Sequence, residues 1–204
     1  NSCFMTTFLA IAENSKLEFT DFDISYSQLP FTQENYICVS YAWEKLASQH
    51  PYNDDIKISE RTLSVLQTAY YSFQQLLRHN EKEIAATDKM WVDSLCIPSS
   101  NDEKELHYFL MGEIYAKSSL VIVVLSNELE PVLYKVRNSI KLIEQDFELL
   151  NQDKWVSRQW TYQEIVNSGK IYFTTQKSKE KPIFASDFFD TIAKGIEAFT
   201  KANN

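Results

Sequence analysis

A chain of 204 residues, 44% hydrophobic, is long enough to fold as one domain around a sizeable core. A formal net charge of -8, with no lysine- or arginine-rich run, excludes a general nucleic-acid or anionic-membrane binder. No apolar run approaches the roughly 20 residues of a membrane span. The three glycines, Gly112, Gly169 and Gly195, cannot assemble a Walker loop or a dinucleotide fingerprint. Cys3, Cys38 and Cys96 are too few and too far apart for a disulfide framework, so a reducing, cytoplasmic setting is expected, with Cys38 and Cys96 as buried thiols. His50, His79 and His107 show no metal-ligand spacing, and no metal site is expected. The chain opens without a methionine and reads as a fragment or a processed product, with no secretion leader in Asn1 to Ala12.

The first 35 residues read as an irregular extension, with a weak edge strand over Leu17 to Phe22. YICVSY, Tyr36 to Tyr41, reads as a buried strand, followed by a polar loop from Glu44 to about Asp55. Ser59 is expected to cap a helix from Glu60 to about His79, with Leu63, Leu66, Tyr70, Phe73 and Leu77 on one face. Met90 to Asp93 is a second strand, running into a loop over Pro98 to Asn101. Glu103 to Lys117 is a helix. LVIVVL, Leu120 to Leu125, lacks polar alternation, as a parallel strand covered on both faces should. One helix is predicted over Val136 to Leu150, another over Arg158 to Asn167, a strand over Lys170 to Thr174, and a last helix capped by Ser186 and carrying Phe189, Ile192, Ile196 and Phe199. Alternating strands and helices imply an α/β fold, a mainly parallel central sheet with helices on both faces. Its ligand site belongs at the carboxyl ends of the strands.

Three segments look more specialised than a core requires: Ser40-Tyr41-Ala42-Trp43, Trp91 to Ile97 around Asp93, and Arg158 to Glu164. Trp160 and Glu164 are four apart and would share a helix face. An indole beside a carboxylate desolvates it, raises its pKa and offers a flat wall for a planar ring. That pair suits cleavage of the N-glycosidic bond of NAD, where nicotinamide leaves neutral and one carboxylate can stabilise the oxocarbenium-like ribose. From spacing alone, a core aromatic with a solvated neighbour explains Trp160 and Glu164 as well. Likewise Asp93 reads as a turn cap, Ser40 as a strand-end hydroxyl, and Tyr41 and Trp43 as core or rim aromatics.

In order, YICVSYAWE, MWVDSLCIP, MGEIYAKSS with LVIVVL, and WVSRQWTYQE resemble the heterokaryon incompatibility (HET) domain over about Tyr36 to Glu164. Glu44 stands where that family usually has glycine, and Pro98-Ser99 departs from its loop. HET domains are in turn similar to TIR domains, which are flavodoxin-like. YICVSYAW, SSLVIVVLSNEL and Trp160 to Glu164 compare with TIR segments. The resemblance implies a single HET/TIR-like domain with residues 36–204 as its core. It implies Glu164 as the catalytic carboxylate and Ser40, Tyr41, Trp43, Asp93, Arg158 and Trp160 as substrate-binding residues. Arg158 is a candidate phosphate contact or, equally, an ion-pair partner that orients the Glu164 helix. The expected activity is an NAD glycohydrolase in a cell-death or defence response, with NAD as substrate rather than cofactor. The alternative is a module that self-associates or senses a nucleotide without turnover. Self-association is expected in both cases, and no nucleic-acid or membrane partner.

Overall fold

A computed structural model of the chain describes residues 2–10, 22–30, 35–42, 49–50, 53–57, 60–79, 84, 86–87, 89–97, 101–158, 161–176 and 178–202, with the backbone alone at 2–10, 22–30, 49–50, 53–57, 60, 101–108, 162–163 and 202. The elements are β1 (Ser2–Ala10), β2 (Phe22–Pro30), β3 (Ile37–Tyr41), β4 (Gln49–His50), β5 (Asn53–Lys57), α1 (Glu60–Arg78), β6 (Lys89–Val92), α2 (Asp93–Cys96), α3 (Asn101–Lys117), β7 (Leu120–Leu125), α4 (Glu130–Arg137), α5 (Glu144–Gln152), α6 (Thr161–Val166), β8 (Ile171–Thr175), β9 (Ile183–Phe184) and α7 (Ala185–Ala202).

Seven strands form one sheet in the order β2-β1-β6-β3-β7-β8-β9. β3 pairs in parallel with β6 and β7, and β7 with β8. Antiparallel strands close both margins: β9 on β8, and the β1–β2 pair on β6. Taken in chain order, the four parallel strands lie 2-1-3-4, the flavodoxin-like arrangement. The chain leaves β3 to one side for β6 and returns to its other side for β7. That reversal puts the topological switch point at the carboxyl ends of β3 and β7.

Strand alternation divides the core into two layers. Cys38, Trp91, Val121, Val123, Ile171 and Phe173 meet Ile114 and Tyr115 of α3, Leu133 of α4 and Phe188 of α7. Ile37, Val39, Val92, Ile122 and Val124 meet Leu66, Ala69, Phe73 and Leu76 of α1. Each fully buried Val, Leu, Ile or Phe contributes about 1.5–3 kcal/mol relative to exposure, so both faces must be covered for the apolar β7 to be stable. All six residues of β7 are buried.

The architecture is the expected one, but several local expectations change. Within the first 35 residues, the described segments 2–10 and 22–30 are not irregular, because β1 and β2 pair along their full nine residues. The polar stretch after Tyr41 contains the small β4–β5 pair. The anticipated strand at Leu17 lies outside the described residues apart from Phe22, which opens β2. Ser59 and the loop residues Pro98 and Ser99 also lie outside them. Asp93 opens α2 instead of closing the strand.

The single helix expected over Val136 to Leu150 is two helices. Pro131 sits in the first turn of α4. At its end, Ser139 N–H bonds Val136 O and Ile140 N–H bonds Lys135 O, with Ser139 at φ 53. That is a left-handed helix stop. α5 restarts where the Asp146 carboxylate accepts the Ile143 N–H at 2.7 Å. Lys135 Nζ reaches both oxygens of Asp146 at 2.7 Å and ties the two helices together.

α7 begins at Ala185, one residue before the expected Ser186 cap, and its buried side is Phe188 and Gly195 with Ile192 partly buried. Phe189, Ile196 and Phe199 of the same helix are 40–52% exposed. The reason is Gly195, where a Cβ would fall 2.7 Å from Phe147 Cζ and 3.3 Å from Leu142 Cβ. Alanine there gains about 1 kcal/mol in helix propensity but overpacks a tight contact at about 1–3 kcal/mol. Gly195→Ala is expected to lower the urea midpoint. An unchanged midpoint would show that the Phe147 ring yields freely.

Candidate active site at the switch point

Ser40 lies near the carboxyl end of β3, on the sheet face that carries Cys38. Its hydroxyl donates to Glu164 Oε2, and its oxygen accepts the Trp155 indole N–H at 2.6 Å. Glu164 is carried by α6, a short helix pinned from both sides. Thr161 Oγ1 donates to Arg158 O, and Ser168 Oγ donates to Glu164 O, each at 2.6 Å. Gly112 of α3 lets α6 approach closely, since a Cβ there would lie 3.3 Å from Asn167 Nδ2.

Glu164 is only 7% exposed. Its carboxyl is pushed up to about 7, chiefly because burial disfavours the charged form. The Ser40 hydrogen bond opposes the rise, the negative charge of Asp93 adds to it, and the Arg158 charge and the Trp155 N–H also oppose it. Glu164 is therefore divided between its two protonation states near neutral pH.

Tyr41 reaches the same strand end, but its ring turns to the α1 face. Its hydroxyl lies 2.8 Å from both Thr62 Oγ1 and Ser94 Oγ. Burial, foremost, pushes this phenol up to about 12. Asp93 accepts the Ser94 N–H at 2.6 Å. Arg158 Nη1 donates to Tyr41 O at 3.3 Å, so it braces the strand end from the segment preceding α6. The helix expected from Arg158 begins only at Thr161. Ser40, Tyr41, Asp93, Arg158 and Glu164 thus converge from three separated segments. Trp43 and Trp160 lie outside the described residues.

The aromatic group bound into the Glu164 cluster is Trp155, which no helical spacing links to that carboxylate. It sits in the turn after α5, with its ring edge against Phe173 at 5.5 Å. Asp153 builds that turn. Its Oδ1 accepts the N–H groups of Trp155 and Val156 at 2.8 and 3.3 Å, and its Oδ2 accepts Ser126 N–H and Oγ–H at 3.1 and 2.6 Å. The Asp-Lys-Trp sequence after a helix is a turn signal. Nothing local, however, places the indole against Ser40, 115 positions earlier. Tyr115 of α3 is likewise absent from the expected site residues. It is wholly buried, and its phenol lies well above the usual range, from burial first and then from the Glu164 charge.

Beside this cluster, beyond the ends of β3 and β7, lies a cleft of about 360 Å³ lined by Ala42, Ser126, Trp155, Arg61 and Lys154 among others. Its size and place are those of a small-molecule crevice. Among the described residues, no group of three or more His, Cys, Asp or Glu could hold a metal ion, and no helix is long and apolar enough to cross a membrane.

A doubly covered, mainly parallel sheet with a buried carboxylate at its switch point defines the class: a flavodoxin-like α/β domain with a crevice at the carboxyl ends of its strands. The model of the heterokaryon incompatibility protein (HET) family matches residues 36–148, more than half of the chain, and the chain belongs to that family. The family is involved in heterokaryon incompatibility and cell death. The match covers Ser40, Tyr41, Trp43 and Asp93 and stops before Trp155, Arg158, Trp160 and Glu164. No curated protein and no solved structure matches the chain.

Proposed function

We propose that this domain cleaves the N-glycosidic bond between nicotinamide and ribose in NAD, as part of a cytoplasmic cell-death or defence response. The observation that carries this reading is Glu164, a buried carboxylate held by Ser40 at the end of the central strand, beside the switch-point cleft. The resemblance of the chain to NAD-cleaving TIR domains supports it. Nicotinamide is cationic in NAD and leaves neutral, so the leaving group needs no acid. The ionised Glu164 stabilises the positive charge that develops on ribose. Trp155, which lines the cleft, is the aromatic residue tied to that carboxylate through Ser40. Self-association completes the site, as in TIR enzymes, so activity rises with protein concentration.

The competing reading is a signalling module in which Glu164 only fixes α6, and the burial of its carboxylate favours it. Nicotinamide release from NAD by clustered protein separates the two. Because Glu164 acts as the anion and titrates near 7, the rate is expected to rise with pH and level off above about 7. Correctly folded, clustered protein that releases no nicotinamide at pH 8 would leave the module reading in place.

A further inference from the structure

Trp155, Ser40 and Glu164 form a hydrogen-bond relay with a fixed direction. An indole N–H can only donate, so the Ser40 oxygen must accept from Trp155. The single Ser40 proton is then committed to Glu164 Oε2. An oxygen already accepting that proton is a poor place for another, so the proton that titrates Glu164 belongs on Oε1. We propose that Trp155 is a positioning residue that acts through Ser40 to fix Oε2 of Glu164 as an acceptor and present Oε1 to the reacting centre. This assignment rests on Glu164 being the carboxylate of the proposed reaction.

The indole is well placed for the role. Its ring is set by Phe173 and its backbone N–H by Asp153. Its outer side lines the cleft, so the relay joins the cleft wall to the carboxylate. The charges acting on Glu164 are Asp93 of α2, which opposes ionisation, and Arg158, which favours it; the Trp155 N–H also favours the anion, and the Tyr115 phenol of α3 stays neutral. The two charges leave the choice between Oε1 and Oε2 to the relay.

The test is a carbon-detected NMR titration of the Glu164 carboxyl, which needs no turnover. Trp155→Phe removes the N–H and keeps a ring against Phe173. Ser40→Ala removes the middle link with little change in volume. Both are expected to raise the Glu164 midpoint by about one pH unit, a tenfold gain in proton affinity, because each withdraws support from the anion. The acid limb of NAD cleavage should move with it, lowering kcat near neutral pH with KM little changed. Phe73→Leu, which alters packing in the layer on the other face of the sheet, should leave the midpoint in place. A midpoint that shifts in Ser40→Ala but not in a folded Trp155→Phe overturns the role of Trp155. Should Trp155→Phe not fold, the wild-type indole N–H resonance serves instead. It is expected to follow the Glu164 titration and to lose that response in Ser40→Ala, and a resonance indifferent to Glu164 overturns the relay. A shifted midpoint in protein that releases no nicotinamide keeps the relay and removes only the NAD reading.

Discussion

Glu164→Gln is expected to slow NAD cleavage by about 10²–10³-fold and, at the same time, to make the fold more stable above neutral pH. Glutamine keeps the shape and still accepts the Ser40 proton through its carbonyl, but it cannot stabilise a cationic ribose. The stability effect follows from the raised carboxyl, about 7 in the fold against an ordinary 4.5. Below about pH 4.5 the group is protonated in folded and unfolded chains alike and contributes nothing. Between 4.5 and 7 the folded chain binds the extra proton, so stability falls as pH rises. Above 7 the fold holds an unfavourable anion, a deficit of about 3 kcal/mol. Glutamine removes it, and in a chain of this length the melting temperature at pH 8 should rise by roughly 6–12 °C. At pH 4 the variant and the wild type should melt together. An equal difference at both pH values would show that the Glu164 proton does not move on folding.

Asp153→Asn should have the opposite sign and a comparable size. All four groups bound to Asp153 are donors, two on each oxygen. Whichever way the amide is turned, its NH2 faces two donors and satisfies neither. A 5% exposed site offers little water in compensation. Losing charged hydrogen bonds and stranding buried donors costs about 3 kcal/mol, again roughly 6–12 °C. The damage should extend to the site, because Asp153 sets the turn that carries Trp155. Glu164 should then titrate as it does in Trp155→Phe. Melting curves and the carboxyl titration check both parts, and an Asn variant that melts like wild type would mean that Asp153 does not organise the turn.

What can be read from the sequence follows physical signal strength. Leu120–Leu125 is apolar throughout because both its faces are covered, and YICVSY has the same character. Those two strands place the switch point, and with it Ser40, through their apolar character alone. The β1–β2 pair escapes such a reading because strands such as FDISYSQLP mix polar and apolar residues and need a distant partner to be recognised. Val136, Ile140, Ile143, Phe147 and Leu150 fall at helical spacing by coincidence. Ile140 and Ile143 are 43% and 53% exposed, and the Asn138-Ser139 pair between the helices is the stop signal that the apolar spacing hides. Along α7 the inward face turns on Gly195, which has no side chain for a hydrophobic pattern to register. Glu164 is legible from its local motif, but the aromatic joined to it through Ser40 comes from outside that motif.

The central position of β3 also governs how the chain behaves while it is being made. Ile37 leaves the ribosome long before either neighbouring strand. Its partner Leu120 follows about 80 positions later, roughly 4–16 s of synthesis at about 5–20 residues per second. Throughout that interval the nascent chain carries an apolar strand with at least one open edge, a natural target for chaperones and a liability in truncated transcripts. Pairings this distant also slow refolding, because loop closure must precede the contacts that reward it. A cell expressing this domain therefore has to shelter β3 until β7 has emerged to cover it.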